Sequence, residues 1–207
     1  MSLVFYYAPF SSASMTHWAL EELGIPYEKV KLDIQKGETR KPEFLALNPN
    51  GQVPTIVHDG TPIFESAAIL AYLGETFGVD KGLYPAPGPR RGEALKWVVW
   101  TNVSIGEALS RFQRNTVDRI PKEQHNEKAA EVAKADVEKL LGILDAALQG
   151  KAFLVGDAFS LVDLHVSSFV GYVGMCGFDS KKWPAIDAWL KSCNARPSFG
   201  RVMRPDA

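Results

Sequence analysis

Residues 48–73 read NPNGQVPTIVHDGTPIFESAAILAYL, and three signals spaced along this run decide the fold. Val53-Pro54 opens an apolar run, Thr55-Ile56-Val57. His58-Asp59-Gly60 is a turn cluster, and Asp-Gly between two apolar runs is a strong hairpin cue. Ile63-Phe64 resumes the strand, and Glu65-Ser66 opens a helix carrying Ile69, Leu70, Tyr72 and Leu73 on one side. A strand, a tight turn and a second strand therefore deliver an acid and a hydroxyl to a helix N-terminus. The unpaired N–H groups and partial positive charge of that end suit a carboxylate. A proline at the head of a strand donates nothing to the ladder, and X-Pro bonds are where cis peptides occur. A cis Val53-Pro54 bond would turn the Val53 backbone outward, where its N–H and C=O can pair with an extended peptide. Taken singly, these residues also have plain structural readings: a strand-initial proline, an acid in a first helical turn and a serine N-cap.

Toward the start of the chain, Leu3-Val4-Phe5-Tyr6-Tyr7 is an apolar, β-rich run ended by Ala8-Pro9. A helix is expected over 12–23, stopped by Gly24, with Ser11, Ser12 and Ser14 all good N-caps. Residues 27–33 read as a second strand, with Tyr27, Val30 and Leu32 at alternating apolar positions. A polar loop, 34–42, leads to a short helical turn over 42–47. Strand, helix, strand, loop, hairpin and helix in this order give a thioredoxin-like α/β arrangement with one parallel pair and one antiparallel addition.

Beyond the organising stretch, Gly82, Pro85, Pro87, Gly88 and Pro89 mark a linker. The division expected is 1–79 for the α/β domain, 80–89 for the linker and 90–207 for an all-helical domain. A first helix over 90–118 places Leu95, Val98, Val99, Asn102 and Ile105 on one face. A second, over 122–149, places Val137, Leu140, Leu141, Leu144 and Leu148 at helical intervals. Ser160-Leu161-Val162-Asp163 is a capping box, and a last helix over 184–194 turns Ile186, Trp189 and Leu190 inward.

The chain has 207 residues, 46% hydrophobic and 23% charged, with 23 Lys+Arg against 24 Asp+Glu for a net charge of -1. That balance supplies no field to steer nucleic acid or an anionic membrane. No apolar run approaches the roughly 20 residues of a membrane helix, and the first ten residues do not read as a secretory signal. Cys176 and Cys193 form no CxxC and suggest no disulfide framework. His17 and His165 read as packed helix residues, and no metal-ligand constellation is formed. A cytoplasmic, metal-free protein is expected.

NPNGQVPTIV followed by FESAAILAYL resembles the glutathione-binding half of the cytosolic glutathione transferases, where Val-Pro and Glu-Ser or Gln-Ser recur at this separation. The resemblance implies a cis Pro54, with Val53 pairing to the cysteinyl backbone of glutathione. It also implies that Glu65 faces the γ-glutamyl amine and Ser66 its carboxylate. Gly156 with Ser160 to Asp163 is similar to the motif that nucleates the family's core helix, so the resemblance spans nearly the whole chain. In this family an activated glutathione thiolate, the co-substrate, attacks a small hydrophobic electrophile, a detoxification chemistry; a homodimer is implied as well.

The hydroxyl that would hold the thiolate is open between two serines. Counted from the strand, Pro9-x-Ser11 resembles the serine of the theta, delta and phi classes. Counted back from the helix end, Tyr7 to Gly24 runs without a gap against the bacterial beta class, and Ser12 stands where those proteins keep a cysteine. Tyr7 lies at the tyrosine position of the alpha, mu and pi classes but reads more simply as a core strand residue. Serine at 12 removes a mixed disulfide with glutathione there. The family's glycyl-gripping histidine is replaced by Thr39, with Lys36, Arg40 and Lys41 nearby and Gln52 as a further contact. The electrophile is expected between the domains, against Phe10 and Phe112. Glutathione-dependent peroxidase or isomerase chemistry on the same fold is the alternative, as is a non-catalytic interaction module; the need for both Glu65 and Ser66 separates the module from the enzymes.

Overall fold

The computed structural model describes residues 2–203. Two compact units divide the chain, one running from its start to Arg91 together with the segment from Asn194, the other Gly92–Cys193.

The first unit is built on a four-stranded sheet of β1 (Leu3–Tyr7), β2 (Glu28–Lys31), β3 (Thr55–His58) and β4 (Thr61–Phe64), in the order β2-β1-β3-β4. β1 and β2 are parallel because α1 (Ala13–Leu23) carries the chain back across the sheet between them. The β3–β4 hairpin turns at Asp59 (φ 46°) and Gly60 (φ 84°), positive at both central positions as a type I′ turn requires. Hydrogen-bonded pairs alternate from His58↔Thr61, so Pro62 opposite Val57 sits where no ladder donor is needed. β2 is shorter than expected, and as an edge strand it half-buries only Val30.

Helix α1 ends at Gly24 (φ 58°), whose N–H donates to Leu20 O at 3.0 Å. A short helix α2 (Pro42–Leu45) precedes β3, and α3 (Ser66–Leu73) follows β4 and widens into a π-turn at Gly74–Gly78. Gly74 gives the Tyr84 ring its seat, since a Cβ there would lie 2.6 Å from it. Arg91 donates twice to Pro85 O, at 3.0 and 2.9 Å, which ties the linker down. The segment from Asn194 packs on α1. Trp18, fully buried, donates to Ser198 Oγ at 3.0 Å and meets the Phe199 ring edge-on at 4.8 Å. Arg196 binds the Glu22 carboxylate through two nitrogens at 2.6 and 2.7 Å. Pro197–Val202 forms the helix, α9, that carries these contacts.

The second unit is helical. The helix expected over 90–118 is α4 (Pro89–Trp100), a π-turn at Thr101–Ile105, and α5 (Gly106–Arg114). Its buried stripe is Ala94, Trp97, Val98, Thr101 and Ile105, whereas Leu95 and Val99 are exposed, 37% and 52%. The inward face is thus turned from the expected one by about one position, with Ala94 and Trp97 in place of Leu95 and Val99. Helix α6 (Glu127–Leu148) is capped by Asn126, which accepts from Ala129 N at 3.0 Å. Val137, Leu141, Leu144 and Leu148 face inward as their spacing predicts.

Helices α7 (Leu161–Met175) and α8 (Pro184–Asn194) follow. The capping box forms: Asp163 Oδ2 accepts from Ser160 N at 3.0 Å and from Ser160 Oγ at 2.9 Å. Its Oδ1 additionally accepts from Leu154 N at 2.8 Å and Trp189 Nε1 at 3.0 Å.

Candidate functional site

Tyr6, Thr55 and Phe64 lie in one row across β1, β3 and β4. The residues just past that row are therefore neighbours at one sheet end: the turn from Ala8 into α1, the Val53-Pro54 dipeptide, and Glu65-Ser66 at the start of α3. Sheet topology thus gathers the segments predicted to bind glutathione into the first unit, whereas Phe112, expected beside the electrophile, belongs to the second.

The Val53-Pro54 bond is cis. Behind it stands Asn48, 2% exposed, whose Nδ2 donates to Gln52 O at 2.8 Å and Thr55 Oγ1 at 3.1 Å. Its Oδ1 accepts from Asn50 N at 3.0 Å, so one amide braces the backbone on both sides of Gly51. Asn48 escaped the reading of the sequence; the one signal for it was a turn-forming Asn at the head of Asn-Pro-Asn-Gly. Gly51 adopts φ 60°, and a Cβ there would stand 2.7 Å from Thr39 O and 2.8 Å from Arg40 Nη1. The Gln52 side chain is exposed while its carbonyl is held.

The two serines part company. Ser11 Oγ donates to Ala8 O at 2.6 Å and accepts from Ala13 N at 3.2 Å, so its hydroxyl serves the turn. Ser12, at the N-cap position of α1, makes no side-chain cap bond and is exposed. Its hydroxyl reaches 41 residues along the chain to donate to Val53 O at 3.3 Å. Tyr7 stacks on Phe5 at 5.5 Å between centroids, with Lys29 Nζ 5.9 Å over its ring, the packing of a core strand residue. His17 packs against Phe5 and Tyr27, and burial, then the Lys29 charge, holds its pKa below the ordinary value against a weaker raising effect of Glu21.

Glu65 takes φ 71° and ψ 119° at the N-cap position of α3, and Ile69 N donates to its carbonyl at 2.9 Å. Ser66 is the first residue of that helix. Among the loop cations, Lys36 pairs with Asp33 at 3.2 Å and Lys41 with Glu38 at 3.5 Å. Arg40 instead donates to Asn50 O at 3.1 Å, beside Gly51 and Gln52. Thr39 is buried, 3% exposed. Phe10 is fully exposed at φ 54°, next to Ser11. Phe112 meets Phe178 edge-on at 5.2 Å within the helical unit. A cavity of about 400 Å³ lies elsewhere in the first unit, lined by Tyr6, Lys31, Leu32, Glu38, Lys41, Glu43, Phe44 and Leu47. Among the described residues no group of three or more His, Cys, Asp or Glu could hold a metal.

Residues 1–75 match the profile of the glutathione S-transferase N-terminal domain, and residues 110–197 that of the C-terminal domain. Glutathione S-transferase GstB of Escherichia coli K12 is 31% identical over 186 residues, covering 89% of this chain and 88% of that protein. The chain belongs to the glutathione S-transferase family. Its sheet unit is the family's thioredoxin-like domain and its second unit the family's helical domain. Another relative is the E. coli disulfide-bond oxidoreductase YfcG, 29% identical over 209 residues, covering 96% of this chain and 93% of that protein. A glutathione transferase of Burkholderia graminis, solved with two glutathione molecules bound per subunit, is 29% identical with a TM-score of 0.85. That match covers 97% of this glutathione S-transferase family chain and 87% of the other.

Proposed function

We propose that the chain binds glutathione at this sheet end and ionises its thiol beside Ser12 for attack on a small hydrophobic electrophile. The observation that carries the reading is the Ser12 hydroxyl reaching the Val53 carbonyl next to cis Pro54. Val53 pairs its backbone with the cysteinyl residue, which extends β3 by one peptide. Glu65 faces the γ-glutamyl amine, and Ser66 with the N-terminal amides of α3 holds the carboxylate. Gln52 and Arg40 take the glycyl end. Sequence profiles and relatives that carry the glutathione transferase name support glutathione as the ligand.

A free thiol of pKa about 8.5 is only a few per cent ionised near pH 7. Beside Ser12 it meets a hydroxyl donor and the N-terminus of α1, both of which favour the anion. The thiolate then attacks an electrophilic carbon, forming the S–C bond as the leaving group departs. Ser11 keeps the turn that aims Ser12, and Phe10 offers an exposed aromatic face beside it.

Calorimetry with glutathione, then turnover of a dinitro-substituted aryl chloride across pH, tests the reading. Ser12→Ala should lower kcat/KM about a hundredfold and raise the apparent thiol pKa by about one pH unit. Ser11→Ala should mainly lower the melting temperature. If the two variants show the same modest losses, Ser12 is not the activating group. The likeness to YfcG favours a second reading, glutathione-dependent disulfide reduction. Reduction of a small dialkyl disulfide by glutathione, measured beside the aryl chloride assay, ranks the two. A cytoplasmic homodimer completes the proposal, and a monomer mass in sedimentation at micromolar concentration would remove the dimer.

A further inference from the structure

We infer that the Ser12–Val53 hydrogen bond is an autoinhibitory contact, one that withholds the activating hydroxyl until a peptide backbone claims the carbonyl. This rests on the glutathione reading above and adds a regulation of the same site. Ser12 carries the N-cap position of α1 yet caps nothing, and its side chain is exposed, so its rotamer is chosen by the carbonyl it meets. The capping work that would otherwise hold it is done by Ser11, with bonds to Ala8 O and Ala13 N. The carbonyl that Ser12 holds belongs to Val53, the residue whose backbone the incoming cysteinyl unit is to pair with. At 3.3 Å the contact is long for a hydroxyl donor, so an amide N–H that approaches the same carbonyl more closely competes with it. No covalent bond changes: the ligand N–H takes the carbonyl, and the released O–H turns to the sulfur. Thiol activation is thereby made conditional on a correctly seated backbone.

The consequence runs against the usual expectation for a binding residue. Removing the hydroxyl should tighten the binding of a ligand that has the peptide backbone but no thiol. The probe is the glutathione analogue with 2-aminobutyrate in place of cysteine, titrated calorimetrically into the full chain. Ser12→Ala is expected to bind it about threefold tighter than the unmodified chain, within the range a net hydrogen bond covers. Ser12→Thr keeps the donor and should leave the affinity unchanged. Equal or weaker binding by Ser12→Ala, with the unmodified chain still binding, overturns the autoinhibitory contact and leaves the glutathione site standing. Failure of the unmodified chain to bind the analogue or glutathione at millimolar concentration overturns both.

Discussion

Glu65 sits at φ 71° and ψ 119°, backbone that a residue with a Cβ adopts only where its surroundings impose it. Such a position costs about 1–3 kcal/mol, and here it stands immediately after the end of β4. Glu65→Gly should therefore be more stable than Glu65→Ala by up to about 1 kcal/mol in urea unfolding. Both variants should raise the KM for glutathione at least tenfold, far out of proportion to their stability change. Equal stability of the two would remove the strain. The identity of this acid was plain from Glu-Ser ahead of an apolar helix, but its backbone was not, because an acid in a first turn has an ordinary helical explanation. Ser11 and Ser12 were indistinguishable for a related reason. Ser-Ser-Ala-Ser offers several hydroxyls to one helix end, and the residue that tells them apart, Val53, is 41 positions away.

Helix α7 shows what a local motif leaves out. Its capping box was legible because Ser160 and Asp163 are three residues apart, yet the same carboxylate also accepts from Leu154 N and Trp189 Nε1. Those partners come from other segments and leave no spacing signal. Asp163→Ala strands two buried donors besides removing the cap, so a loss of about 3–5 kcal/mol is expected in thermal or urea unfolding. A loss near 1 kcal/mol would mean that only the cap counts. Asp145, on α6, accepts from Ala185 N and Ile186 N at 2.9 and 3.1 Å and so caps α8 from a neighbouring helix. Asp145→Ala should cost about 1 kcal/mol and fray α8 first, read as faster amide exchange at Ala185 and Ile186.

Across the whole molecule, acid reaches different buried groups at different points. In the helical unit His165 is fully buried, with Nε2 2.6 Å from Asn102 Oδ1, and burial lowers its pKa from 6.5 to about 4. The unfolded chain takes up this proton at higher pH than the folded one. Its contribution is therefore whole above pH 6.5 and is lost as pH falls toward about 4. The loss is on the order of 3 kcal/mol. In the sheet unit, burial pushes Glu22 up, but the Arg196 and Ser198 hydrogen bonds and the Arg196 charge outweigh it and hold the carboxyl below its ordinary value. Glu22 therefore stabilises above the ordinary carboxylate range and fails only as pH drops through its lowered value. Amide exchange followed from pH 7 to pH 3 should show the surroundings of His165 loosening before the Glu22–Arg196 contact does, and His165→Gln should erase that lead. The helical unit's existence was legible from leucine spacing, whereas the return of α9 to α1 was not, since Trp18–Ser198 and Glu22–Arg196 join residues far apart in sequence. That return has a bearing on biosynthesis. A ribosome releases α1 long before α9, so Trp18 and Glu22 emerge with their partners still unmade. The sheet unit must then wait, incompletely closed, until α9 has been made, and this is the interval in which a chaperone has most to hold.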